Sequence, residues 1–281
     1  MIAARPLAIA EIFDRTVTLV VQRWRIVLAI VAITATPDAM IVAVTRGHDT
    51  TRAAMAFEFV TVLLVGALTF SPLVRVGGDA AAPDDLGALL RRAVADYWRS
   101  LGSFLLVYAV LIVVLVGIAV VVAFAALSAG FVLGSLALPV TVVGLGLAAC
   151  ALVPLLVVTS VAYANVILER VSPWRGLVSA VARCRQASLA RTWLLGAALL
   201  IVSFVPALVL DPLLRGLSAG PGMWWVLLPE PYLTTATGVA FGTIAGAVAA
   251  VDYRNRSEGA DLHAVLDATA TNTGSASASA S

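Results

Sequence analysis

The chain has 281 residues, of which 61% are hydrophobic and 12% charged, with a formal net charge of +2 and a mean hydropathy of +1.02. Such a composition leaves too little polar surface for a water-soluble globular protein of this length, and so small a net charge argues against a nucleic-acid partner. All eighteen basic residues are arginine, and a lysine-free chain rich in Ala, Val, Gly and Arg reads as the product of a GC-rich bacterial genome.

In chain order, Ile9, Ile12, Phe13, Val17 and Val20 recur on a helical period, with Glu11 four residues before Arg15 in the favourable order. This first segment reads as an amphipathic helix. Its charges interrupt any apolar core that a cleaved signal peptide would need. Residues 26–44 then form a first apolar stretch, broken only by Asp38 beside Pro37, and residues 53–74 a second, with Glu58 near its start and Pro72 near its end. A second amphipathic pattern follows: Leu86, Leu89, Leu90, Val94, Tyr97 and Trp98 against Asp85, Arg92, Asp96 and Arg99.

From Ser100 to Leu168 the chain runs sixty-nine residues without an Asp, Glu, Arg or His. A bilayer's hydrocarbon is about 30 Å thick and takes roughly twenty helical residues to cross, so this tract must turn back on itself. Ser128-Ala129-Gly130, Gly134-Ser135 and Pro139 supply a break, predicting antiparallel spans over 104–127 and 138–168. A third amphipathic segment starts with Ser172 as cap and Pro173 at the first helical position, and sets Trp174, Leu177, Val178 and Val181 on one face. Two further spans occupy 193–210 and 232–251, and residues 263–281, rich in Thr, Ser and Ala, predict a disordered tail.

The fold class expected is therefore all-α: a polytopic membrane bundle of six transmembrane helices and three cytoplasmic interfacial amphipathic helices, forming one membrane domain over residues 1–262. The pattern of one amphipathic helix and two spans repeats three times, from near Pro6, Pro83 and Pro173, with Trp24, Trp98 and Trp193 at each hand-over. Six spans put fifteen of the eighteen arginines on one face, leaving Arg46, Arg52 and Arg215 opposite. Because basic loops stay inside, this predicts a multi-pass cell-membrane protein with both termini in the cytoplasm.

Charged groups within spans are costly and so are functional candidates. Asp38 and Glu58 form the candidate intramembrane polar site, and both fall near the outer ends of their spans, within reach of Arg46 or Arg52. Thr234, Thr235 and Thr237, with Tyr163 and Asn165, offer groups for hydrogen bonds between helices or to their own backbone. Gly238, Gly242 and Gly246 make a small-xxx-small stripe for close helix approach. No catalytic motif is present: His48 sits in an outer loop, His263 in the tail, and Cys150 and Cys184 have no metal-ligand spacing or disulfide partner. The chain is expected to hold no metal or cofactor and to be no enzyme.

Three blocks resemble one family. Arg5-Pro6-Leu7 followed by Glu11-Ile12 and Asp14-Arg15, then Val166-Ile167-Leu168-Glu169 with Arg183 and Arg185, then Asp252-Tyr253-Arg254-Asn255-Arg256-Ser257-Glu258-Gly259-Ala260-Asp261-Leu262, are similar to the bacterial glycerophosphoryl diester phosphodiesterase membrane-domain family. The last block looks like that family's D-x-R-x-R-x-E-G-x-D-L pattern, though Ala250 stands where tyrosine is common. The resemblance covers the membrane part alone and implies architecture, not hydrolysis, because the catalytic barrel with its paired histidines is not in this sequence. Asp252, Arg254, Arg256, Glu258, Gly259 and Asp261 form the cytoplasmic interface motif, in which Arg254 and Arg256 meet lipid phosphates or helix-end carbonyls while Glu258 and Asp261 pair with arginines of the amphipathic helices.

These observations favour a non-enzymatic integral membrane protein that organises lipid or scaffolds a partner protein. The alternative is a small transporter using Asp38 and Glu58; an enzyme acting on lipid head groups has only the family name behind it. The partners expected are the bilayer itself, with anionic lipids, and a partner protein or second copy of the chain.

Overall fold

The computed structural model describes residues 7–45, 52–79, 82–133, 137–218 and 223–259; the expected tail, Asp261 and the Gly134-Ser135 break lie outside them. Among the described residues every regular element is helical, and the helices build an all-α bundle. In order they are α1 (Ile9–Gln22), α2 (Trp24–Thr45), α3 (Arg52–Gly78), α4 (Leu86–Ala95), α5 (Tyr97–Leu133), α6 (Ala137–Leu168), α7 (Pro173–Gln186) and α8 (Leu189–Ser218). A 3-10 turn (Met223–Leu227) and the short α9 (Glu230–Thr234) then lead into a π-helical segment, Thr235–Phe241. Residues 242–259 complete the run as α10.

Short, long, long is thus the order of the helices, three times over, and local chemistry sets each start. In α1, Glu11 turns back so that its Oε2 accepts from the Ala8 N–H at 2.6 Å. In α4 the Asp85 carboxylate accepts from Ala88 N–H at 2.8 Å. Pro173 does open α7, but Ser172 makes no side-chain cap; its carbonyl accepts from Gly176 N–H instead.

The inward faces of the amphipathic helices carry Ile12 and Thr16 of α1, Leu89 and Ala93 of α4, and Gly176, Ala180 and Cys184 of α7. Other apolar groups that the sequence pattern places with them point outward instead, Trp98 at 79% exposure, Val94 at 64% and Trp174 at 63%. Outward indoles beside arginines are what an interfacial helix presents to a bilayer surface.

Five helices among the described residues are long and apolar enough to cross a membrane: Trp24–Thr45, Phe59–Gly78, Tyr97–Ala125, Leu189–Ser218 and Met223–Gly259. Within α6, Leu152–Leu168 adds a shorter apolar stretch. This is the architecture of a multi-pass membrane protein.

Several boundaries move relative to the sequence expectation. The break near Ser128 is absent, because α5 continues to Leu133 with Ser128 Oγ donating to its own helix at Phe124 O, and Pro139 sits harmlessly in the first turn of α6. Asp211 does not end the fifth stretch either: it pairs with Arg215 one turn on at 2.5 Å, and α8 runs to Ser218. Pro37, Pro72 and Pro154 all lie inside continuous helices.

The second long helix of each set lies inside. In the most apolar stretch of α5 nothing is buried, and in that of α8 20% is, against 50% for α3 and 56% for the run that ends in α10. Glycines let the inner helices touch: a Cβ at Gly77 of α3 would lie 2.7 Å from the Ile244 carbonyl oxygen of α10, and one at Gly246 of α10 would lie 2.9 Å from Ser160 Cβ of α6. Around these contacts Val74, Val157, Val161, Ile167, Ala247 and Val248 are buried in one core.

Candidate functional site

Each inner helix ends in a charged residue tied to the next set of helices. Arg75 of α3 bonds through Nη2 to Asp96, the buried residue between α4 and α5, with Asp79 at 3.9 Å and Arg99 reaching Asp96 at 3.5 Å. Glu169, just past α6, accepts from Arg183 of α7 at 2.6 Å; that guanidinium also donates to Asn165 Oδ1 at 2.9 Å, and Asn165 Nδ2 donates to Ser179 at 3.1 Å. Asp252 of α10 closes the series onto the start of the chain.

The Asp252 carboxylate is 1% exposed and fully engaged. Its Oδ1 accepts from Leu7 N–H at 2.7 Å, and its Oδ2 from Arg191 Nη2 and Arg256 Nε, each at 2.9 Å. The same two guanidinium groups donate to Leu7 O at 2.5 and 2.9 Å, so both backbone groups of Leu7 are held. Charge-assisted bonds of this kind are about twice as strong as neutral ones. Residues 245 positions apart are thereby locked together.

Beyond these anchors the helices part around a cleft of about 540 Å³, within the usual range of about 300–1,000 Å³ for small-molecule sites. Its walls come from α3, α5, α6, α8 and the run from α9 to α10. Phe70, Phe104 and Tyr163 form an edge-to-face cluster at one side, with centroids 4.8 to 6.2 Å apart. Tyr108 and Leu200 lie on its flanks, from α5 and α8, helices that do not pack closely on each other. The two helices carry exposed Leu105, Ile112, Ile201 and Val205 on their outer sides.

The π segment contributes Gly238 and Val239 to the wall. A π turn widens the helix and costs hydrogen-bond quality, and it persists where packing or function demands it. Here Phe241 anchors it by stacking on Phe13 of α1, 6.0 Å between centroids.

Other residues singled out in the sequence fall elsewhere. Asp38 is half-buried in α2 and does not line the cleft. Glu58 lies in α3 with its side chain outside the described residues, as is Arg46, so their pairing does too. Gly246 packs on Ser160, while Gly242 and Gly238 face Ser203 of α8, so the glycine stripe serves two neighbours. Thr234 and Thr237 do bond to their own helix, at Glu230 O and Leu233 O, each 2.9 Å.

In the C-terminal block, Arg256 meets the carbonyl of Leu7 rather than that of its own helix end, Glu258 faces Arg254 at 3.6 Å rather than an amphipathic helix, and Gly259 ends α10 with open space around it. Sequence reasoning missed Arg191 as the partner of Asp252 and missed the cleft. Trp193 lies in the second turn of α8 and donates from Nε1 to Cys150 O at 3.2 Å. Among the described residues no group of three or more His, Cys, Asp or Glu is placed to hold a metal ion.

No family model, curated protein or solved structure matches this chain.

Proposed function

We propose that the protein is a non-enzymatic membrane protein of the cell membrane that organises lipid by taking an apolar chain into the cleft between α5 and α8. The observation that carries this reading is the cleft itself: about 540 Å³, walled largely by aromatic and aliphatic side chains, and bordered by α5 and α8, which carry exposed apolar groups. The charged anchors at the inner helix ends act as its frame. The fifteen-to-three arginine bias supports a cytoplasmic location for those anchors and for both termini. Membership of the glycerophosphoryl diester phosphodiesterase membrane-domain family belongs to the same proposal, supported by the meeting of the N-terminal and C-terminal blocks at Leu7 and Asp252. Arginines exposed on α4 and α7, with the exposed indoles of Trp98 at the start of α5 and Trp174 of α7, support contact with anionic lipids.

Native mass spectrometry of the full chain released from its membranes tests the proposal. Lipid should remain bound, and Leu200→Trp, which fills the cleft, should strip it while Asp38→Asn does not. Equal lipid retention in a folded Leu200→Trp variant would refute the reading.

A further inference from the structure

We infer that the cleft selects a neutral lipid bearing a hydrogen-bond donor, a hydroxyl or an amide N–H, over the anionic lipid of the same chain length. This deepens the proposed function and rests on the cleft being the lipid site. Six hydroxyl groups face the cleft, on Thr159, Ser160, Tyr163, Ser203, Thr234 and Thr243. What matters is where their protons go.

Four are already committed. Thr159 donates to Leu155 O at 2.9 Å, Ser160 to Leu156 O at 2.8 Å and Thr234 to Glu230 O at 2.9 Å, each within its own helix. Tyr163 shares a 2.5 Å bond with Ser100 Oγ, and Ser100 sends its one proton to Ala67 O at 2.5 Å. The proton between Ser100 and Tyr163 therefore belongs to Tyr163. Each of these four oxygens keeps lone pairs and has no hydrogen left to give. Ser203 and Thr243 make no hydrogen bond among the described residues, so these two can still donate as well as accept.

With four of the six hydroxyls able only to accept, the wall offers a donor more partners than it offers a carboxylate or phosphate oxygen. The second observation is charge: among the described residues no Asp, Glu, Arg or His lines the cleft. An anion drawn in would lose its hydration without a counter-charge to offset the loss, whereas an alcohol or amide exchanges water for protein acceptors nearly evenly. The geometry thus matches lipids such as long-chain alcohols, acylglycerols or amide-linked lipids, with the donor group lodged among the hydroxyls and the chain against the aromatic side.

The test uses the full chain in phosphatidylcholine nanodiscs, labelled by a photoreactive analogue of hexadecanol, with labelled residues mapped by mass spectrometry. Hexadecanol should compete about three- to tenfold better than hexadecyl methyl ether, the worth of one net hydrogen bond, and palmitate held well above its carboxylate pKa should compete worst. Thr159→Val combined with Ser160→Ala should bring the alcohol-to-ether ratio toward one while leaving ether competition unchanged. Equal competition by alcohol, ether and palmitate, with labelling still in the cleft, would overturn this selectivity and leave the lipid site standing. Labelling outside the cleft, or undiminished in Leu200→Trp, would overturn the lipid site itself.

Discussion

Along one helix, α3, the bundle changes character: every residue from 71 to 77 is buried, while none of the described side chains from 56 to 65 is. The buried half carries Gly77 against α10 and Arg75 against Asp96; the other half lies against α2, α5 and the surface. α6 and α10 repeat the contrast, with 161–167 and 244–253 buried and the preceding residues lining or flanking the cleft. Stability is concentrated where backbones touch and charges pair, which leaves the remainder free to hold space open. Tight packing and a permanent cleft cannot occupy the same residues.

The contrast breaks most sharply at Asp252. Asp252→Ala leaves Arg191 and Arg256 without their shared acceptor and releases Leu7. Removing one partner of a buried ion pair costs about 3–5 kcal/mol, and the lower end applies because both arginines keep some exposure. Thermal unfolding in detergent should show that loss, and a double-mutant cycle with Arg191→Ala should show strong coupling. Additive effects would mean that the two residues act independently. Arg75 and Asp96 provide the counter-case: replacing both, as Arg75→Met with Asp96→Leu, should be near neutral, while either change alone destabilises.

Glycine substitutions sharpen the comparison at the next level. A methyl at Gly77 meets the Ile244 carbonyl oxygen at 2.7 Å, an atom fixed in a helix, so Gly77→Ala should cost about 1–3 kcal/mol by pushing α3 off α10. Gly117, in the outer helix α5, has nothing within 4 Å of such a methyl. Gly117→Ala should therefore be neutral or stabilising by up to about 1 kcal/mol through helix propensity. Matching melting shifts for the two variants would contradict the division into inner and outer helices.

Much of this organisation was legible in the sequence, because it is written in local patterns. Amphipathic periodicity located α1, α4 and α7, uncharged length located the long helices, and Pro173 marked a helix start. Local signals also misled: Ser128-Ala129-Gly130 has the composition of a turn, yet a serine that bonds its own helix is tolerated in an apolar setting. Asp211 looked like a boundary until its partner Arg215, one turn away, removed the cost of the charge. Long-range pairings had no local trace. Asp252 meets Arg191 across 61 positions and Leu7 across 245, and the cleft takes its walls from five parts of the chain. The D-x-R spacing drew attention to the correct acid without revealing what it holds.

Cysteine chemistry gives the finest test of the packed half. Cys184 lies on the inward face of α7, 5% exposed, and burial pushes its thiol from the ordinary 9.0 up to about 12, offset in part by its contact with Thr192. Thiolate is the reactive form, so in a Cys150→Ser background the folded protein should resist maleimide at neutral and mildly alkaline pH and react once denatured. Because the folded state holds the proton more tightly than the unfolded one, the contribution is fully present below pH 9.0 and declines as pH climbs toward about 12. A Cys184→Ala variant should flatten that alkaline decline in melting temperature, and should do so equally with or without Gly117→Ala, since the two sites lie in different layers. Rapid labelling of folded protein near neutral pH would show that α7 lifts away from the core, and would place the boundary between packed and open regions one helix further in.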